Sequence, residues 1–221
     1  MTMVLSVQQH VKGEGYVDKK SLFITFEGID GSGKSTQLNK IAEFLKEKNI
    51  NYIITRDPGG TDLGSKLRNI LLNYEGKIYP LCELFLYLAD RAQHVDEKII
   101  PALNSGTVVL CDRYIDSTLA YQGYARGLNI DELINLNNLA TNKLWPDLTL
   151  IFDIDPDVSL KRVGDNKDRL ESESINFHKK VREGYLELAK QHPNRIKVIN
   201  ANQPIEDIYK AVIQIVKPYF S

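Results

Sequence analysis

Phe23-Ile24-Thr25-Phe26-Glu27-Gly28-Ile29-Asp30-Gly31-Ser32-Gly33-Lys34-Ser35-Thr36 joins an apolar strand to a helix-forming segment through G-x-x-x-x-G-K-S. The glycines let backbone N–H groups close on phosphate oxygens with no Cβ in the way. A helix beginning near Lys34 turns its positive end toward the same place. Lys34 can reach the β- and γ-phosphates, and the Ser35 hydroxyl is placed to ligate Mg²⁺. Strand before and helix after are the context such a loop needs. The stretch therefore predicts a nucleoside triphosphate site formed by Gly28, Ile29, Asp30, Gly31, Ser32, Gly33, Lys34, Ser35 and Thr36.

The rest of the chain repeats this alternation. Strands are predicted at Leu22–Glu27, Asn51–Thr55, Thr107–Asp112, Leu148–Asp153 and Ile196–Ile199. Several are continuously apolar, as suits a sheet covered on both faces. Helical spacing runs over Lys34–Lys48, Leu63–Leu72, Leu81–Asn104, Asp131–Lys143, Val158–Val163, Ser174–Gln191 and Ile205–Pro218. Pro80, Pro156 and Pro204 stand at or just before helix starts, where a missing N–H costs nothing. Strand–helix alternation implies right-handed crossovers and a parallel sheet, with ligands at the carboxyl ends of its strands. The expected architecture is α/β: a P-loop NTPase fold with a five-stranded parallel sheet, helices on both faces and a short lid.

With 221 residues the chain is expected to form one domain over 21–221, preceded by an extension over 1–20 with no ordered element assigned to it. That extension lacks the charged lead and small-residue cleavage site of a signal peptide. Lys plus Arg number 28 and Asp plus Glu 29, so nothing global points to nucleic acid or an anionic membrane. No apolar run approaches the ~18 residues of a membrane span. Cys82 and Cys111 both sit in apolar runs and are expected to be buried thiols of a cytoplasmic protein. The four histidines show no metal-ligand spacing.

Thr107-Val-Val-Leu-Cys-Asp112 is an apolar strand ending in a carboxylate, the form of a Walker B element whose Asp holds Mg²⁺. Arg113 and Tyr114 follow it. Beside them stand Thr55-Arg56-Asp57-Pro58-Gly59-Gly60-Thr61, Leu88-Ala89-Asp90-Arg91 and Ser117-Thr118-Leu-Ala-Tyr121-Gln122-Gly123. In this order and spacing the set resembles bacterial thymidylate kinases, P-loop nucleoside monophosphate kinases, from about Leu22 to Phe220. Pro146-Asp147-Leu148-Thr149-Leu150, Leu160-Lys161-Arg162 and Tyr185-Leu186-Glu187-Leu188-Ala189 belong to the same likeness.

The resemblance implies Mg²⁺-dependent transfer of the ATP γ-phosphoryl group to dTMP, giving dTDP for dTTP synthesis, by a cytoplasmic homodimer. It implies that Asp30 faces the sugar 3′-OH and that Arg113 binds the acceptor phosphate and the migrating group. Arg56 would be a second phosphate clamp, or else pair with Asp57. Arg91 would bond the thymine edge and Tyr87, one turn earlier on the same face, would stack on the base. Tyr87 departs mildly from the family's usual Phe. Thr118 and Gln122 would contact the pyrimidine, and Tyr121 would crowd C2′ in favour of deoxyribose. Ser35 and Asp112 would hold the metal. Gly31 occupies a position where some members carry a basic residue, which leaves more to the lid, about 163–172. There Arg169 and Lys167 are the candidates for charge neutralisation, with Arg169 alternatively paired to Glu171 or Glu173. Arg162 would be a third such candidate, or else support the adenine.

Three rival readings share the phosphate loop. An adenylate kinase would usually carry Pro within it, which is absent. A nucleoside kinase would need a carboxylate base for a 5′-OH, a part open to Glu27. A GTP switch would find its D-x-x-G in Asp57–Gly60 but lacks N-K-x-D: Asn142-Lys143 continues with Leu144-Trp145.

Overall fold

The computed structural model describes residues 21–164 and 168–220. Both the extension 1–20 and Lys167 lie outside that range. Five strands form one parallel sheet: β1 (Phe23–Glu27), β2 (Tyr52–Arg56), β3 (Val108–Asp112), β4 (Leu148–Asp153) and β5 (Ile196–Asn200), in spatial order β2-β3-β1-β4-β5. Every expected strand is present, with ends within one residue of the sequence reading. β1 is buried at all five positions and β4 at five of six, with only Asp153 partly open, so side chains on both pleat faces meet cover.

The helices are α1 (Lys34–Glu47), α2 (Asp62–Asn73), α3 (Pro80–His94), α4 (Ile100–Asn104), α5 (Ile115–Thr118), α6 (Ile130–Ala140), α7 (Pro156–Val163), α8 (Ile175–Gln191) and α9 (Ile205–Val216). On one side α1 lies along β1, β2 and β3 and packs on α9, while α3 packs on α2 and α6.

Four differences from the sequence reading stand out. The helix expected over Leu81–Asn104 is α3 and α4 joined by a π-turn, Val95–Ile99, in which Ile100 N–H reaches the Val95 carbonyl. Pro101 has no N–H for the ladder and its ring would crowd the preceding turn, so a wider turn accommodates it. A second π-segment, Leu119–Ala125, follows α5, and neither element was anticipated. α6 stops at Ala140 rather than Lys143, because Asn142 and Lys143 take left-handed φ of 51° and 61°. Cys111 is buried but Cys82 is exposed, against expectation: in α3 it lies beside Leu81 and Phe85 on the outer face, while Leu84 and Leu88 point inward.

The register sets Asp112 beside Phe26 on one flank and Arg56 on the other. Three strand ends thus open onto one place. β1 is central there, between β3 and β4, where the crossovers part to the two sides and a ligand cleft is expected.

Candidate active site

α2, α6, α7 and α8 are capped by the side chains of Thr61, Asn129, Asp155 and Ser174. α1 has no side-chain cap among the described residues. Its N-cap is Gly33 at φ 88°, so its first N–H groups are left for an anion. The loop is packed tightly from below. A Cβ on Gly31 would stand 2.5 Å from the Ser159 carbonyl oxygen of α7, and the Ser159 hydroxyl donates to the Asp30 carbonyl. Any side chain at position 31 would press on the α7 backbone and sit at φ 76°, both of which favour glycine. The buried Lys34 ammonium donates to the carbonyls of Gly28 (3.0 Å) and Ile29 (2.9 Å) and lies 3.8 Å from Asp30 Oδ1. Burial, then the Arg113 charge, push its pKa down; Asp30 and Asp112 oppose this.

Arg113 follows β3 in the left-handed region, φ 69°, at a cost of about 1 kcal/mol. That turn carries its guanidinium across to the loop, 2.7 Å from Asp30 Oδ1. It also donates to Tyr185 Oη (3.3 Å) and Ser117 Oγ (3.4 Å), and lies 5.3 Å over the Tyr121 ring. Burial alone would raise the Asp30 pKa, but Arg113 and Lys34 override it and hold the carboxyl well below the usual range. Beneath them Glu27 is fully buried. It accepts from the Tyr114 N–H (2.7 Å), the Ser117 hydroxyl (2.6 Å) and the Tyr185 hydroxyl (2.9 Å). Burial and then the Asp116 charge push its pKa up to about 7. Its hydrogen-bond partners among the described residues are the protein groups that carry Arg113 and Tyr185 at the loop.

Two hollows flank the loop. One, of about 270 Å³, is lined by Ser35, Arg56, Gly59, Gly60, Lys98 and Asp112 among others. Asp112 Oδ1 is buried there with no hydrogen-bond partner among the described residues, as a carboxylate awaiting a cation would be. With the Ser35 hydroxyl on the same wall, the donor set of hard oxygens fits Mg²⁺. Arg56 is exposed and lines this hollow. It is not paired with Asp57, whose carboxylate takes Arg91 instead. Arg162 is also exposed, its Nη1 3.4 Å from the Gly31 carbonyl.

The second hollow is a cleft lined by Asp30, Tyr87, Arg91, Arg113, Thr118, Tyr121 and Gln122, closed by Leu72, Asp168 and Leu170. The fold thus brings seven of the expected acceptor residues to one cleft; Arg56 stands in the hollow next door. Their hydrogen bonds differ from expectation. All five Arg91 N–H groups already have protein acceptors: Asp57 Oδ1 (2.7 Å) and Oδ2 (3.0 Å), Thr118 Oγ1 (2.7 Å), Asn137 Oδ1 (2.5 Å) and the Tyr114 carbonyl (3.2 Å). Gln122 Nε2 donates to Glu83 (2.8 Å). Arg169, expected over the donor phosphates or on Glu171 or Glu173, instead has Nη2 2.6 Å from Glu83 Oε2 and Nε 2.7 Å from the Leu71 carbonyl. A fully buried carboxylate is a stronger attractor for a guanidinium than exposed acids nearer in the chain.

Glu83, Arg126 and Asp57 were missed. Glu83, Tyr87 and Arg91 follow one another at i, i+4, i+8, so an acid on that otherwise inward face was the available signal. Among the described residues Asp57, Asp90 and His94 form a buried carboxylate–imidazole group. Asp57 is committed to Arg91, and Asp90 accepts the Gly59 N–H at 2.9 Å. The group therefore pins the Asp57–Gly60 loop between the two hollows.

A P-loop α/β fold whose Arg113 guanidinium joins the triphosphate loop to a second cleft suits a phosphotransferase of the nucleoside monophosphate kinase class. The thymidylate kinase family model matches residues 26–212. A thymidylate kinase of Clostridium novyi is 50% identical over 198 residues, covering 87% of this chain and 97% of that protein. One of Carboxydothermus hydrogenoformans is 52% identical over 189 residues, covering 85% and 92%. The crystal structure of thymidylate kinase from Ehrlichia chaffeensis superposes with a TM-score of 0.75 at 38% identity, covering 89% of this chain and 98% of that one. The chain belongs to the thymidylate kinase family and is an enzyme of that class.

Proposed function

We propose that this chain transfers the γ-phosphoryl group of ATP to dTMP, giving dTDP, with Mg²⁺ held by Ser35 and Asp112. The observation that carries the reading is Arg113: one guanidinium is bonded to Asp30 of the triphosphate loop and lines the acceptor cleft. The acceptor is a phosphate monoester with a second pKa of ~6, so at pH 7 it is an oxyanion that needs no general base. The work left to the protein is to align two polyanions and to neutralise charge on the migrating group. Bound Mg²⁺ supplies Lewis-acid neutralisation of the phosphate oxygens. Lys34 exchanges its two carbonyl acceptors for phosphate oxygens. Arg113 grips the acceptor phosphate and the migrating group, with Arg56 as a second clamp. Asp30 accepts from the sugar 3′-OH.

Tyr87 stacks on the base. Thr118 accepts from Arg91, so its own O–H is oriented toward other acceptors and, with Gln122, takes the pyrimidine edge. Arg91 reaches that edge by giving up one of its present bonds. Arg162 supports the adenine, and Lys167 is the remaining candidate for neutralisation from the connection 163–172. Residues 21–221 act as one domain. Among the described residues no helix is long and apolar enough to cross a membrane, and a cytoplasmic setting suits the substrates. Leu63 and Ile70 of α2, Leu81 and Phe85 of α3 and Leu139 of α6 are 43–79% exposed. We assign this apolar face to a homodimer.

An ADP-release assay with ATP and Mg²⁺ tests the function, offering dTMP, dUMP, UMP, dCMP, dGMP, AMP and thymidine separately. Strong turnover on dTMP is expected. dUMP should fall ~10–200-fold lower, since one methyl in a pocket is worth ~1–3 kcal/mol. Turnover on thymidine or a purine monophosphate in place of dTMP overturns the reading.

Tyr121 is 5% exposed, its ring edge-on to Phe177 and Tyr185 at 6.0 and 6.4 Å. Tyr121→Ala should narrow the deoxyribose-over-ribose preference about tenfold. The ratio of kcat/KM for dTMP and its ribose counterpart cancels any loss of folded protein. An unchanged ratio returns the ring to packing alone.

A further inference from the structure

Glu83 lies in the first turn of α3 and is 0% exposed. A lone carboxylate there would lose several kcal/mol of hydration. Four contacts replace it. Oε1 accepts from Gln122 Nε2 at 2.8 Å and Arg126 Nε at 3.3 Å. Oε2 lies 2.6 Å from Arg169 Nη2 and 3.3 Å from Arg126 Nη2. Three of these are hydrogen bonds, from Gln122 and twice from Arg126, and the fourth, to Arg169, is a close ion pair. Burial works to raise its pKa, but Gln122, Arg126 and Arg169 outweigh that and bring it below the ordinary value.

The partners extend the arrangement. Arg126 also reaches Glu173 at 2.7 Å and covers the Phe177 ring at 4.5 Å. Arg169 donates Nε to the Leu71 carbonyl, and its backbone N–H to the Leu72 carbonyl at 3.1 Å. One carboxylate therefore ties the end of α2, the start of α3, the Leu119–Ala125 segment and the Asp168–Glu173 segment. Leu72, Gln122, Asp168 and Leu170 of these parts line the acceptor cleft. The amide orientation of Gln122 is settled too, because an acceptor-only carboxylate takes its nitrogen and leaves its carbonyl oxygen unspent on Glu83. None of the four contacts involves a strand, and in general a buried ion pair can be replaced by an apolar group of similar volume with little loss of stability.

We infer that Glu83 is a positioning residue for the acceptor nucleotide: it touches no substrate, and it fixes Gln122 directly and the Asp168–Glu173 wall through Arg169 and Arg126. The inference rests on this cleft being the dTMP site.

The test is steady-state kinetics on the full chain and on Glu83→Gln, Arg169→Gln, Arg169→Lys and the Glu83→Gln/Arg169→Gln double variant, varying dTMP and ATP separately. KM for dTMP should rise tenfold or more in each Gln variant, with KM for ATP within twofold of the parent. The double variant should be no worse than its more severe parent beyond twofold, because both remove one interaction. Arg169→Lys keeps the ion pair and should recover most of the loss. A merely structural role lowers kcat with the folded fraction and leaves both KM values alone. The inference is overturned by a folded Glu83→Gln with an unchanged dTMP KM, by equal changes in both KM values, or by penalties that multiply. Should Glu83→Gln not fold, the contrast of Arg169→Gln with Arg169→Lys decides. Should the parent turn over another monophosphate in place of dTMP, the acceptor reading fails, and the same comparison on that acceptor judges Glu83.

Discussion

Arg113→Ala is expected to lower kcat about a thousandfold while the protein stays folded. Removing a cation that stabilises a transferring phosphoryl group costs 10³–10⁵ in related chemistry, and the low end applies because Lys34 and the metal remain. The fold should tolerate the change. Arginine already bears the cost of φ 69°, and alanine bears the same. The side chain makes its contacts with Asp30, Ser117, Tyr185 and Tyr121, none of them in the sheet's hydrogen-bond ladder. Asp30 keeps Lys34 at 3.8 Å, so no carboxylate is stranded. Arg113→Lys separates charge from shape: a point charge cannot reproduce the planar fork, and only part of the rate should return. The measurement is kcat at saturating dTMP and ATP beside a thermal melt. A rate within tenfold of the parent removes Arg113 from the transfer step.

How far such roles can be read from the chain depends on where their partners lie. The triphosphate loop was legible because its chemistry is local: three glycines, a lysine and a serine at fixed offsets between a strand and a helix. The strands were legible for the same reason, since five apolar runs bounded by polar turns need no distant partner to be recognised. Their order, β2-β3-β1-β4-β5, was not, because pairing is decided between segments far apart in the chain. Residue types at the acceptor cleft were also legible, but their bonds were not. Arg91 announces a cation in the cleft; that Asp57 takes two of its donors, and Asn137 and Tyr114 two more, depends on how β2, β3 and α6 meet. Arg169 shows the same limit. Neighbouring acids in the chain suggested local pairs, whereas the buried Glu83 of α3 holds it. Cys82 failed for a subtler reason: an apolar neighbourhood in the chain does not say which face of a helix a residue takes.

The second large effect is on stability and its dependence on pH. Glu27 has an ordinary value of 4.5, raised to about 7 in the folded protein by burial and then by the Asp116 charge, against the pull of Ser117, Arg113 and Tyr185. The folded state therefore holds this proton more tightly than the unfolded chain does. Below pH 4.5 both states carry it and its full contribution to stability is present. As pH rises from 4.5 to about 7 the unfolded chain ionises first, and that contribution drains away; above about 7 the loss is complete. The span corresponds to about 3 kcal/mol. Glu27→Gln cannot ionise. Its carbonyl can still accept from Tyr114 N–H, and its amide can donate to the Ser117 and Tyr185 oxygens. Between pH 5 and pH 8 the variant should therefore gain on the parent by about 2 kcal/mol or more, most of the full span. Urea denaturation of both proteins at the two pH values checks this, read as the change in their stability difference so that other titrating groups cancel. A difference that stays constant with pH would mean that Glu27 is already ionised at pH 5. The Tyr114, Ser117 and Tyr185 donors, with Arg113 above them, would then stabilise the carboxylate fully, and the support under the transfer site would be a permanent negative charge rather than a proton-bearing one.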